Sequence, residues 1–256
     1  MSVKFILPFV VAGIAIIIWA CLSLMTNEIT HMPSPLSTAH AFWADRGALF
    51  SALSVDAAAM FLGFIFAAAL GVLCSIALVT YQGLRLALAP WMMIGRMAPI
   101  IALAPLIIVS PLSSFMTLLV VTTAACFFPV ISVATPALMA TDKSLLDLFK
   151  TYRASYWQEI ALLRLPHALP QLMTAIKRAA IYAPMAALVT DYLSGLLASK
   201  PGLGRLLGEY YAAQNYAGVA ALCILAAMLG VVMAGTVHAI SAWTLNHWHD
   251  NEHGHA

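Results

Sequence analysis

The sequence predicts an all-α membrane protein with about six transmembrane helices, and three observations support this. Of the 256 residues, 63% are hydrophobic and 9% are charged, whereas a soluble domain carries about 25% charged residues. Several apolar runs approach the ~20 residues that a helix needs to cross the hydrocarbon core. Runs such as Ile14–Trp19 lack the alternation of membrane β-strands, and in lipid the backbone groups of a helix are all paired internally.

Six apolar segments form one predicted transmembrane domain over residues 1–256. The first segment follows Lys4 and resembles a signal peptide, but it is longer than the usual apolar region and no A-x-A site follows it. We therefore expect an uncleaved first helix. The predicted spans are about 5–25, 55–79, 90–110, 115–139, 174–198 and 217–244.

The distribution of Lys and Arg predicts the orientation of these spans, because cytoplasmic loops are enriched in both. With both termini inside, the outer connections receive only Arg46, Lys200 and Arg205. The long polar stretch at about 141–172 is then cytoplasmic. The inner side receives Lys4, Arg85, Lys143, Lys150, Arg153, Arg164, Lys177 and Arg178.

Charge and cysteine usage argue against several kinds of site. A net charge of +2 is too small to indicate a nucleic-acid partner. The 4 cysteines are scattered singly through apolar stretches, so neither a zinc site nor a disulfide framework is predicted. No nucleophile–base pair or carboxylate pair stands out, and no metal site or catalytic residue is expected.

The polar stretch at about 141–172 contains an amphipathic pattern. Ser144 followed by Asp147 resembles the start of a capping box, and Pro166 and Pro170 are expected to end helical structure before the fifth span. From the pattern alone, such a helix either lies on the membrane or its own bundle, or docks a cytoplasmic partner. The apolar residues that share one helical face are Leu145, Leu148, Phe149, Tyr152 and Tyr156.

This stretch resembles the EAA loop of ABC importer permeases. The branch it resembles most serves nitrate, sulfonate, taurine and thiamine-pyrimidine precursors. The matching residues are Lys150-Thr-Tyr-Arg-Ala-Ser-Tyr-Trp-Gln158 and Leu165-Pro-His-Ala-Leu-Pro170. Further matches occur in the expected order at Met32-Pro-Ser-Pro35, at Arg96, Pro99, Ala102 and Pro105, and at Asp191 followed by Gly202-Leu-Gly204.

Three positions of the loop depart from the family pattern. Asp147 replaces the usual Glu, Phe149 stands where Ala is usual, and Arg153 stands where the family has Gly. Glycine permits a tight turn, whereas Arg adopts a positive φ only at a cost. We therefore expect a more continuous helix through Arg153.

The resemblance implies an assembly rather than a protein that acts alone. Its parts are a second permease copy, cytoplasmic ATP-binding subunits and an extracytoplasmic solute-binding protein, in a bacterial cytoplasmic membrane. The chain has no G-x-x-x-x-G-K-[ST] motif and no Gly-Lys pair, so ATP is expected on the partner and no cofactor on this chain. The expected docking residues are Leu145, Asp147, Leu148, Phe149, Lys150, Tyr152, Arg153 and Ala154.

Ionisable residues within spans are candidates for the solute pathway. Arg96 either attracts an anionic solute or reaches the inner interface by snorkelling. Asp191, followed by Tyr192, either lines the pathway or pairs with a basic residue. Pro99 belongs to a proline-rich span that either packs closely or lines a cavity.

Three functional classes fit a membrane protein of this kind. The resemblance favours the permease subunit of an ATP-driven importer of a small solute. A stand-alone secondary transporter is the alternative, although its broken helices usually occur in both halves, and the second half has no counterpart of the proline-rich third span. A membrane-embedded enzyme would need clustered catalytic side chains, which the sequence does not offer.

Overall fold

The computed structural model describes residues 3–26, 32–97, 104–109, 112–194 and 202–253. Within these ranges the chain forms helices and turns and no strand, which confirms the all-α class. The helices are α1 (Val3–Thr26), α2 (Pro35–Ala44), α3 (Arg46–Thr80), α4 (Gln82–Met97), α5 (Ala104–Ile108), α6 (Ser114–Met139), α7 (Lys143–Thr151), α8 (Tyr156–Glu159), α9 (Leu165–Ser194), α10 (Leu203–Ala212) and α11 (Tyr216–His253).

Four stretches of the described chain are long and apolar enough to cross a membrane. They are Arg46–Thr80, Ser114–Met139, Tyr156–Ser194 and Tyr216–Leu245. Helix α1 adds a shorter apolar stretch, Val10–Met25. The predicted count of six spans stays a prediction, because part of the third segment lies outside the described residues.

The core lies where α3, α6, α9 and α11 pack together. Helix α9 contributes a surface of small side chains, which lets neighbouring helices approach closely. Close packing matters here because the hydrophobic effect does not drive helices together within lipid. This core cluster comprises Met60, Phe64, Ala67, Cys126, Val130, Ala179, Ala180, Ala183, Ala187, Met233 and Val237. A second cluster joins α10 to α3 and α11 through Leu49, Ala52, Leu203, Leu206, Leu222 and Leu225.

Several helix boundaries differ from the predicted spans, among them those of α3 and α4. Helix α3 begins at Arg46, well before predicted residue 55, and its early residues Leu49 and Ala52 pack in the second cluster. Helix α4 begins at Gln82 and contains Pro90 in its interior, whereas the predicted third span opened at that proline. Helices α2 and α10 were not predicted, and Ser34 caps α2 by accepting a hydrogen bond from the N–H of Ser37.

The expectation that prolines end the helix before the fifth span is wrong. Helix α8, a π-helical turn at Ile160–Arg164 and α9 follow one another without a break. The N–H of Leu165 donates to the carbonyl of Ile160, an i→i+5 bond typical of a π turn. Pro166 follows this widened turn, and Pro170 lies inside α9, where membrane helices tolerate proline because neighbours satisfy the freed groups.

Candidate functional site

Helix α7 is the amphipathic element that the sequence predicted, although its N-cap is a different residue. Asp142 is the N-cap, and its side chain accepts a hydrogen bond of 3.0 Å from the N–H of Ser144. That bond holds the pKa of the Asp142 carboxyl below its ordinary value. The predicted capping-box start at Ser144 and Asp147 is therefore wrong by two residues, since Ser144 already lies within the helix.

One face of α7 is apolar and uncovered by the described chain. Leu145, Leu148 and Tyr152 expose 41%, 49% and 79% of their surfaces. Phe149 and Ala154 are half-buried. Apolar side chains at this spacing form the surface that an amphipathic helix buries in a groove of a partner.

The charged residues of α7 are exposed beside this face. Asp147 and Lys150 form an ion pair with an N···O distance of 3.1 Å, and both side chains are about 70% exposed. Such a surface pair contributes little to stability. Arg153 is also exposed, so the structure leaves all eight predicted docking residues on one short segment at the protein surface.

Arg153 ends the helix instead of continuing it. Its φ is 53°, in the left-handed region. The N–H of Ala154 donates to the carbonyl of Phe149 at 3.0 Å, and the N–H of Arg153 donates to that of Lys150 at 2.9 Å. This is the Schellman motif, in which the left-handed position is usually Gly. The expectation of a continuous helix is wrong because these two bonds satisfy carbonyls that would otherwise be unpaired.

The segment after α7 is fastened to the transmembrane helices. Ser155 and Gln158 form a capping box at the start of α8. The hydroxyl of Tyr156 donates to Oγ1 of Thr80, at the end of α3, over 2.9 Å. Arg164 is paired with Glu159 and also donates to the carbonyl of Leu138, near the end of α6, over 3.1 Å.

At the other end of the bundle, two buried carboxylates meet the N-terminus of α10. Asp191 is 1% exposed, and its Oδ2 accepts from the N–H of Arg205 at 2.7 Å. Asp56 is equally buried, and its Oδ2 accepts from the N–H of Leu203 at 2.9 Å. The sequence predicted Asp191 but did not single out Asp56, although an acidic residue in an apolar segment is a signal for a functional site.

The glycines of Gly202-Leu-Gly204 make this arrangement possible. A Cβ at Gly202 would lie 2.5 Å from Oδ2 of Asp191 and 2.6 Å from Oδ1 of Asp56. A Cβ at Gly204 would overlap the backbone of α9 at Leu188 and Tyr192. Helix α10 therefore approaches α9 through its backbone, as only glycine allows.

A cavity of about 320 Å³ lies between α3, α6 and α9 and has Asp191 in its wall. The other pathway candidates have separate positions: Tyr192 is half exposed, Pro99 lies outside the described residues, and so does the side chain of Arg96, whose backbone belongs to α4. In the described part of the chain no three His, Cys, Asp or Glu residues group as metal ligands. The cavity is lined by Ser54, Val55, Ala58, Ser113, Ser114, Phe115, Leu118 and Asp191.

Comparison with known proteins decides the family. Residues 67–244 match the model of the family described as "Binding-protein-dependent transport system inner membrane component". The chain belongs to this family. It is thus the permease subunit of an ABC importer, as the resemblance predicted, and not a stand-alone transporter.

Two curated relatives agree with this assignment, and one solved structure has a similar fold. The permease is 24% identical over 208 residues to a probable ABC transporter permease protein of Haemophilus influenzae, covering 81% of this chain and 83% of that protein. It is 24% identical over 217 residues to the formylaminopyrimidine transport permease protein ThiX of Halalkalibacterium halodurans, covering 84% and 85%. Its fold matches the inward-facing MetNI methionine ABC transporter with a TM-score of 0.63 at 18% identity, over 77% of this chain and 96% of that one.

Proposed function

We propose that the permease forms the solute pathway with a second copy of itself and that α7 docks a cytoplasmic ATP-hydrolysing subunit. An extracytoplasmic solute-binding protein delivers the solute, and the membrane is the bacterial cytoplasmic membrane with both termini inside. The observation that carries the proposal is the uncovered apolar face of α7, formed by Leu145, Leu148 and Tyr152.

The capped ends of α7 and the charges beside its apolar face favour a protein groove, rather than the lipid surface, as its binding partner. Capping by Asp142 and the Schellman turn at Arg153 hold it as a separate, rigid helix. A rigid helix loses little conformational freedom on binding. The exposed Lys150 and Arg153 flank the apolar residues and complement acidic groups at the rim of a groove.

The charges inside the bundle support one class of solute. Among the described residues, the buried charged side chains are Asp56 and Asp191, both acidic. Asp191, Ser54, Ser113 and Ser114 line the cavity, and a carboxylate beside hydroxyl groups favours a solute that donates hydrogen bonds. The cavity volume of about 320 Å³ lies at the small end of ligand pockets, which span about 300–1,000 Å³.

We therefore favour an amino-substituted pyrimidine of the thiamine-precursor type over nitrate, a sulfonate or taurine. Similarity to a formylaminopyrimidine permease supports this choice. An anion would meet like charge at Asp191, which costs free energy in a low-dielectric wall. Uptake of a labelled aminomethylpyrimidine by cells that express the whole transporter tests it, with excess unlabelled taurine and nitrate as competitors. Uptake that persists under competition is expected, and uptake of labelled taurine or nitrate instead would assign the anionic class.

Docking at α7 is tested by purification of the tagged permease from its native membrane in mild detergent. We expect recovery of a subunit that carries the G-x-x-x-x-G-K-[ST] sequence, and its loss with Leu148→Asp. Tyr211→Asp is the matched control, because Tyr211 is a similarly exposed apolar residue on α10. A well-folded parent that recovers no such subunit, or loss with Tyr211→Asp as much as with Leu148→Asp, would contradict docking at α7.

A further inference from the structure

A chain of hydrogen bonds runs from the loop that carries α7 into the last turn of α3. The hydroxyl of Tyr156 donates to Oγ1 of Thr80 at 2.9 Å. The hydroxyl of Thr80 in turn donates to the carbonyl of Ile76 at 2.7 Å. Because Tyr156 is itself partly exposed, this bond adds little to the core, yet it joins two elements that are far apart in sequence.

A second connection joins the same loop to α6. Arg164 binds Oε1 of Glu159 through both Nε, at 2.7 Å, and Nη2, at 2.6 Å. Its Nη1 donates to the carbonyl of Leu138 at 3.1 Å. That carbonyl is among the last four of α6, which have no partner within the helix. A cation at a helix C-terminus is favourable, so Arg164 fixes the end of α6 to the loop.

The connection between α7 and these two contacts is short and held at both ends. The Schellman motif at Arg153 and Ala154 begins it, and the capping box of Ser155 and Gln158 ends it. The π turn at Ile160–Arg164 follows at once and contains Arg164. A π turn interrupts the regular bonding of a long helix and often marks a functional position.

We propose that Tyr156 and Arg164 are positioning residues that transmit a displacement of α7 to the cytoplasmic ends of α3 and α6. Tyr156 acts on α3 through Thr80, and Arg164 acts on α6 through the carbonyl of Leu138. The π turn lets α8 move with α7 while α9 keeps its packing in the core. This proposal rests on the docking of an ATP-hydrolysing subunit at α7.

The test uses the permease co-purified with its ATP-hydrolysing subunit in lipid nanodiscs, in a background without Cys21, Cys74, Cys126 and Cys223. Spin-label pairs join exposed residue Ile240 of α11, as the reference, to Thr151 of α7 or Tyr81 at the end of α3. Distances are measured by pulsed electron resonance without nucleotide and with ATP and vanadate. In the parent, we expect both distances to change.

Tyr156→Phe removes only the hydroxyl. We expect the Thr151–Ile240 distance to respond as in the parent, while the Tyr81–Ile240 distance stays at its nucleotide-free value. Thr80→Val removes the same hydrogen bond from the other side, so we expect the same distances as in Tyr156→Phe. The double variant Tyr156→Phe/Thr80→Val should behave like either single variant. Tyr211→Phe, an exposed ring on α10, is the matched control and responds as the parent does.

Arg164→Lys tests the second connection, because a lysine keeps the charge but cannot bind Glu159 and Leu138 with one planar group. In Arg164→Lys, the spin-label distance between Met139 and Ile240 is expected to stay at its nucleotide-free value, while the Thr151–Ile240 distance still changes with ATP and vanadate.

The proposal would be overturned if the Tyr81–Ile240 distance in Tyr156→Phe and the Met139–Ile240 distance in Arg164→Lys changed as in the parent. A parent in which neither distance changes would also overturn it. Failure to recover the ATP-hydrolysing subunit with the parent would instead overturn the docking at α7, and this proposal with it.

Discussion

Asp56 on α3 and Asp191 on α9 bind N–H groups in the first turn of the same helix, α10. Buried carboxylates at a helix N-terminus satisfy donors that have no partner within the helix and lie at the positive end of its dipole. Gly202 has no side chain, which leaves room for both carboxylates. Asp56, Asp191 and Gly202-Leu-Gly204 therefore form one structural unit, which attaches α10 to the spans α3 and α9.

Replacement of Asp191 by Ala is expected to lower the free energy of unfolding by about 1–3 kcal/mol, because the part-buried N–H of Arg205 loses its acceptor. Asp191→Asn keeps an acceptor oxygen and is expected to cost less. The thermal midpoint in detergent measures both effects. Asp147→Ala is the control, since Asp147 is exposed and its removal should stay within about 0.5 kcal/mol. Parent-like stability of Asp191→Ala with lost solute uptake would instead assign Asp191 to the pathway alone.

Gly204→Ala is expected to separate α10 from α9, because the added Cβ would overlap backbone atoms of Leu188 and Tyr192 that cannot turn aside. Gly208→Ala lies one helical turn away on α10, where the Cβ would make an ordinary contact of 3.5 Å with the ring of Tyr192. It should be neutral, or stabilising by up to about 1 kcal/mol from helix propensity. Thermal midpoints of the two variants test this, and equal midpoints would contradict the close approach at Gly204.

The apolar spans and α7 could be predicted from sequence because both rest on local patterns of side chains. Helix α10 could not, since Gly202 and Gly204 look like a helix break unless the acceptors on α3 and α9 are known. Asp56 was missed for the same reason: its hydrogen-bond partner, Leu203, is far away in the sequence. Long-range acceptors leave no trace in local periodicity.

The turn at Arg153 and the helix through Pro166 show a different limit of sequence reasoning. Side-chain preference alone disfavours both, by the cost of a left-handed Arg and by the missing N–H of Pro. In the structure, the Schellman bonds offset the first cost and the π turn accommodates the second. Backbone hydrogen bonding thus overrides propensity at the two ends of the segment that joins α7 to α9.

Arg153→Gly is expected to raise the free energy of unfolding by up to about 1 kcal/mol, because a left-handed L-residue costs about 1–2 kcal/mol and glycine recovers part of it. The same variant should weaken binding of the ATP-hydrolysing subunit if the guanidinium meets acidic groups there. Thermal midpoints and co-purification yields measure the two effects. Arg153→Ala separates them, since it removes the charge and keeps the strain.

A control for this prediction is available within the chain. Gln214, with φ of 57°, is the other described non-glycine residue in the left-handed region. Gln214→Gly should give a similar gain in stability without any change in co-purification, because it lies between α10 and α11. A loss of stability in Arg153→Gly would show that the guanidinium makes contacts that outweigh the backbone strain.

The cap of α7 is expected to weaken in acid. The hydrogen bond from the N–H of Ser144 lowers the pKa of Asp142 below its ordinary value of 3.8 in the folded protein. The contribution of this cap is therefore fully present above that ordinary value and is lost as the pH falls through the lowered pKa.

Asp142→Asn keeps an acceptor oxygen that does not titrate, and Asn is as good an N-cap as Asp. Hydrogen–deuterium exchange of the peptide that contains α7 should show equal protection for the parent and Asp142→Asn near neutral pH. Below the lowered pKa of Asp142, the parent should be less protected than Asp142→Asn. Asp142→Ala should be less protected throughout, and protection that falls in parallel for parent and Asp142→Asn would place the acid-sensitive group elsewhere.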